Sequence, residues 1–78
     1  MDFTLDALKL NERNQAHEYL AEAFGFPEYY GKNLDALYDC LSEMNIGKIT
    51  IINSDAGENY FYAVLDVIKD IDIEIDLK

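Results

Sequence analysis

The pattern of this chain points to a two-layer α/β domain in which helices pack mainly on one face of a three-stranded parallel sheet. Apolar residues alternate with polar ones where the chain opens and where it closes, as in strands with one buried face. Amphipathic helical repeats fill the stretches between the strands, and connections of that length join parallel strands, not hairpins. The resulting order is strand, helix, helix, strand, helix, strand. With 78 residues there is room for one domain, residues 1–78, and one core.

Met1, Phe3 and Leu5 alternate with Asp2 and Thr4, so residues 1–5 read as a strand burying one face. A helix over 11–24 follows: Asn11 is placed to cap it, and Ala16, Leu20, Ala23 and Phe24 recur at helical spacing. Glu12, Glu18 and Glu22 are left for water, His17 reads as a solvated helix residue, and Gly25 ends the helix. The segment Phe26-Pro27-Glu28-Tyr29-Tyr30-Gly31-Lys32 contains the sole proline and is expected to be a stiff, turn-rich loop with Gly31 at positive φ. Tyr29 is expected to point outward and Tyr30 inward.

Asn33 caps the next helix, 33–45, whose Leu34, Leu37, Tyr38 and Leu41 form an apolar stripe. Lys48-Ile49-Thr50-Ile51-Ile52 is β-branched and too short for a helix, hence a strand. Asp55 and Glu58 have capping-box spacing ahead of a third helix with Phe61, Val64, Leu65 and Ile68 on one face. Residues 71–77 alternate isoleucine or leucine with acids, as in a strand at a sheet edge guarded by charge.

Sixteen acids against six Lys and Arg give a net charge of −10, yet half the residues are apolar, so the chain folds and is not an acidic tail. Such a field repels nucleic acid and anionic lipid and speeds encounter with a cationic protein. The single Cys40 excludes an internal disulfide, and acids stand near the N-terminus where a signal peptide carries basic residues. A cytoplasmic location is the expectation.

The second helix holds the informative constellation. Asp35 and Asp39 are four apart and project side by side, with Ser42 and Glu43 on the same solvent side and Tyr38 at its border. Charge on an outer helix face is usually only solvation, and Asp35 gains from the helix dipole. Asp39 lies beyond the first turn and has no Lys or Arg at 35, 36, 42 or 43 to pair with. Catalysis finds little support, because the one His and the one Cys lie on different helices and lack a partner motif. Cys40 reads as a small buried filler. There is no spaced Asp-rich calcium loop and no His pair for a metal, and no cofactor is implied. An acyl-carrier role would need a serine in an Asp-Ser-Leu setting at a helix start, which Ser42 and Ser54 do not provide.

From Phe26 to Leu41 the chain resembles the barstar family of intracellular ribonuclease inhibitors, and the order of elements is similar over most of its length. The resemblance implies a small α/β domain whose loop and second helix plug the active site of a basic, extracellular-type, barnase-like ribonuclease. Asp39 would stand in for a substrate phosphate, and Asp35 would add a second anionic contact. Tyr29 and Gly31 would meet the enzyme from the loop, Asn33 and Leu34 from the helix start, and Tyr38 and Ser42 beside the acids. The barstar–barnase pair is itself a standard example of steered association and of an interface hot spot, so this mode comes from the resemblance. Tyr38 and Met44 replace family tryptophans, Glu43 replaces a glycine, and the segment after Ile52 is shorter. Asp70 falls where the family has a further interface glutamate. A monomer is expected when free, and an acidic adaptor for some other cationic protein is the alternative.

Overall fold

A computed structural model describes residues 1–78. Strand β1 (Asp2–Asp6) leads through a 3-10 turn (Ala7–Lys9) to helix α1 (Arg13–Phe24), then α2 (Leu34–Glu43), β2 (Lys48–Ile52), a second 3-10 turn (Ser54–Ala56), α3 (Tyr60–Asp70) and β3 (Glu74–Leu77). The three strands form one parallel sheet in the order β1-β2-β3, so both terminal strands are edges. This is the two-layer architecture expected from the pattern.

Register explains the layers. Phe3, Ile49 and Ile75 lie side by side across the sheet, as do Leu5, Ile51 and Leu77. Leu5, Ile49 and Ile51 are completely buried, and the alternate residues Asp2, Lys48 and Glu74 form a polar row. Onto the apolar face close Leu20 of α1, Leu37 and Leu41 of α2, and Val64 and Ile68 of α3, all in one core of sixteen residues. α2 packs on α3, and α1 on β1 and α3. Burial of each such aliphatic side chain contributes about 1.5–3 kcal/mol before chain entropy is set against it.

The boundaries differ from expectation for local reasons. Met1 is 79% exposed, because pairing begins at Asp2. Glu12, not Asn11, caps α1: its two carboxylate oxygens accept from Asn14 N–H (3.1 Å) and Gln15 N–H (2.7 Å), which holds its pKa below the usual carboxylate range. Asn11 is thereby free to reach 47 residues along the chain. Its Oδ1 accepts from Glu58 N–H at 2.7 Å, its amide donates to Ala56 O at 3.3 Å, and its carbonyl accepts from Tyr60 N–H. The capping box of Asp55 and Glu58 does not form; Asn59 occupies the cap position with φ 54° and no side-chain bond, and Asn11 supplies the missing acceptor. Gly57 allows this tight entry, since a β-carbon there would overlap the Phe61 ring. Gly25 ends α1 in the left-handed region at φ 68°. β3 starts three residues later than the alternation suggests, because Ile71 caps α3 and Ile73 N–H turns back to Ile71 O.

One side chain departs fully from expectation. His17 is 1% exposed, not solvated. It lies on the Leu20 and Phe24 face of α1, and both ring nitrogens are bonded: Nδ1 to Tyr30 Oη at 2.7 Å and Nε2 to Tyr60 Oη at 2.6 Å.

Candidate functional site

α2 has three faces. Leu34, Leu37 and Leu41 turn toward the core, with Leu34 only half-buried. Ala36, Asp39, Cys40 and Glu43 line a cleft of about 570 Å³, closed on its other side by Phe24, Phe26, Pro27, Tyr29, Tyr30 and Gly31. Asp35, Tyr38 and Ser42 occupy the third, outer face. The acidic ridge of the sequence is thus divided: Asp39 and Glu43 border the cleft, and Asp35 stands one turn away outside it.

Local chemistry builds this arrangement. Asn33 Oδ1 accepts from Ala36 N–H at 2.8 Å and starts the helix, while its amide donates to Gly31 O at 3.3 Å and ties the loop to that start. The positive φ expected at Gly31 falls on Lys32 (52°) instead. Gly31 is still a place for glycine, because a β-carbon would sit 3.3 Å from Ala36 Cβ. Tyr30 N–H closes a turn on Pro27 O at 3.0 Å. Tyr29 then stands 88% exposed and Tyr30 is 6% exposed, the outward and inward pair expected.

Electrostatics make the helix unusual. Asp35, Asp39 and Glu43 are exposed at successive i, i+4 positions, where like charges repel. Glu43 ends the helix, at the negative pole of its dipole, and no basic residue occupies the last turn. The one ion pair in the chain, Lys78 with Asp76, lies in β3 and beyond it. None of the three α2 acids is neutralised. Cys40 reports the crowding: desolvation raises its thiol pKa, and the neighbouring Glu43 and Asp39 charges raise it further. It is a half-buried cleft wall and not a core filler, and a thiol kept protonated is a poor nucleophile. No group of three or more His, Cys, Asp or Glu is arranged to hold a metal ion.

Of the ten residues singled out in the sequence, Tyr29, Gly31, Asp39 and Glu43 meet at the cleft. Asn33, Leu34, Asp35, Tyr38 and Ser42 lie on the same helix or its cap; the Ser42 hydroxyl donates to Asp39 O at 2.9 Å. Asp70 is exposed at the far end of α3, outside the cleft. Sequence reasoning missed the apolar wall of Phe24, Phe26, Cys40 and Met44, and it missed His17. The spacing 17, 20, 24 held the signal for His17, since it places the imidazole on the apolar face of α1.

This parallel-sheeted α/β domain thus presents an unneutralised acidic helix beside a walled cleft. The chain belongs to the Barstar family, described as Barstar (barnase inhibitor), which matches residues 1–76. It is also similar to a curated protein of Bacillus subtilis (strain 168) named "Putative ribonuclease inhibitor YrdF", at 58% identity over 26 residues. That match spans 33% of this chain and 29% of the relative. No helix of the structure is long and apolar enough to cross a membrane.

Proposed function

We propose that this chain is an inhibitor of a basic ribonuclease, not an enzyme, acting as a monomer inside the cell that makes the nuclease. Family membership supports the class of activity, and the observation that carries the mechanism is the unpaired acidic run on α2. A ribonuclease active site gathers cations to hold phosphate. Asp39 stands in for that phosphate, Asp35 and Glu43 extend the anionic strip, and Tyr29 with Gly31 covers the rim of the active site. Asn33, Leu34, Tyr38 and Ser42 form the flanking contacts, with Asp70 as an outlying one.

Glu43 marks the specificity of this chain. It lines the cleft one turn beyond Asp39 and adds charge and bulk where the resemblance has a glycine, so the cognate enzyme carries a further cation opposite it. A titration of barnase activity tests the reading. Inhibition by the wild-type chain that weakens strongly with Asp39→Ala and less with Asp35→Ala supports it, and added salt should mainly slow association. Equal inhibition by all three chains would exclude the mechanism. A non-nuclease captured through the same acids would support the adaptor alternative.

A further inference from the structure

The loop that carries Tyr29 has little backbone support. Between Gly25 and the Asn33 cap it is tied by Phe26 N–H to Ala21 O, by Tyr30 N–H to Pro27 O, and by the Asn33 amide to Gly31 O. Its other anchors are two side chains: Phe26, stacked on Phe24 of α1 with ring centroids 5.5 Å apart, and Tyr30, which packs on Phe26 at 4.7 Å and ends in a hydroxyl bonded to His17. His17 in turn bonds Tyr60, on α3.

Such a group is costly in a core unless its polarity is used. A phenylalanine at 17 would bury apolar area with no desolvation of ring nitrogens. What an imidazole adds is two hydrogen-bonding atoms on opposite ring edges. In its neutral form one donates and the other accepts, so one tyrosine hydroxyl accepts while the other donates. No buried side-chain polar atom of the chain is left without a partner, so this set is closed. Burial, and then the Arg13 charge, holds His17 below its ordinary pKa and in the neutral form, while burial raises both tyrosines. Fully satisfied buried networks of this kind rigidify the elements they join.

We propose that His17 is a positioning residue for the partner-facing loop: by joining Tyr30 to Tyr60 across the core, it fixes the loop against α3 and holds Tyr29 and Gly31 at the cleft edge. The proposal rests on the reading of this loop as partner-facing. It assigns Tyr60, which lies on another element and lines no part of the cleft, a share in binding through the relay alone.

Tyr60→Phe and Tyr30→Phe remove one hydroxyl each and keep the rings, so both are expected to fold; His17→Phe removes the link itself. In the free chain, exchange of the Tyr30 amide, the one hydrogen-bonded amide of residues 28–32, is expected to quicken by roughly fivefold in each variant, the scale of one lost hydrogen bond. Exchange in the sheet should stay near wild type. With barnase as probe, Tyr60→Phe should weaken binding by roughly fivefold in the otherwise wild-type chain and by clearly less in a Tyr29→Ala background, where only Gly31 is left to be positioned, because only a positioning role couples the two sites. Loop exchange at wild-type rates in all three variants, or equal weakening by Tyr60→Phe in both backgrounds, would overturn the proposal. If wild-type chain and Asp39→Ala both fail to bind barnase, the inhibitor reading falls for that enzyme, while loop exchange still decides the role of His17.

Discussion

α2 and α3 pack against each other and share an amphipathic design, but only one of them sets a cation among its acids. α3 buries Phe61, Val64, Leu65 and Ile68 and sets Lys69 in its last turn, where a cation meets the negative end of the helix dipole. α2 buries Leu37 and Leu41 as soundly and, like α3 with Asp70, ends on an acid, yet carries Asp35, Asp39 and Glu43 with no cation among them. α3 thus sets a cation beside its terminal acid, and α2 sets none. α2 thereby gives up some stability, and the sacrifice is confined to the faces that border the cleft and the solvent.

The largest effect that can break this contrast is on binding. Asp39→Ala is expected to cost about 2 kcal/mol or more against a barnase-like enzyme, read as an inhibition constant, on a hot-spot scale to which the barnase–barstar complex itself contributed. An exposed α3 acid such as Asp66→Ala should change it little. Next comes the shared core. Leu37→Ala in α2 is expected to destabilise the chain by about 2–5 kcal/mol in denaturant unfolding, as removal of a buried leucine does. An effect that size would show that the two helices differ in charge and not in packing.

Smaller effects sharpen the comparison at the helix ends. Asn33→Ala removes the α2 cap and should lower stability by about 1 kcal/mol, while also loosening Gly31. Glu43→Gln should do the reverse, raising thermal stability by about 0.3–1 kcal/mol by relieving the dipole and the Asp39 charge, while weakening inhibition of the cognate nuclease. Lys69→Gln in α3 should lower stability by a similar amount. Last is the contribution of a single proton. His17 faces Arg13, Tyr30 and Tyr60 and has a lowered pKa in the folded chain, so the unfolded chain binds the proton more tightly. Its contribution to stability is complete above the unfolded value of about 6.5 and is lost as pH falls through the lower folded value. Comparing unfolding of wild type and His17→Phe across that window isolates the term.

The layers of the fold were legible because they depend on periodicity. Alternation at 2–5 and 74–77 and the stripes of 34, 37, 41 and 61, 64, 65, 68 are set by which residues avoid water, and the structure follows them, while Met1 and residues 71–73 fall outside the strands. What escaped depends on contacts between distant residues. Asn11 reads as a local cap, but a glutamate one position on satisfies two donors and releases it to bond at Glu58. His17 reads as polar and exposed until its two partners, 13 and 43 residues away, are brought to it. The acids of α2 were visible from spacing alone; their division between cleft and outer face was not, because the cleft exists only once the aromatic loop folds back beside the helix.

One measurement bears most directly on the central claim, that the unneutralised acids of α2 carry recognition. It is the rate and equilibrium of barnase association for the wild-type chain and for the double reversal Asp35→Lys with Asp39→Lys, at low and at high salt. The expected result is binding by the wild-type chain that slows as salt rises and is lost in the reversed chain, with its fold intact by circular dichroism. A reversed chain that folds and binds barnase as tightly as the wild type would contradict it.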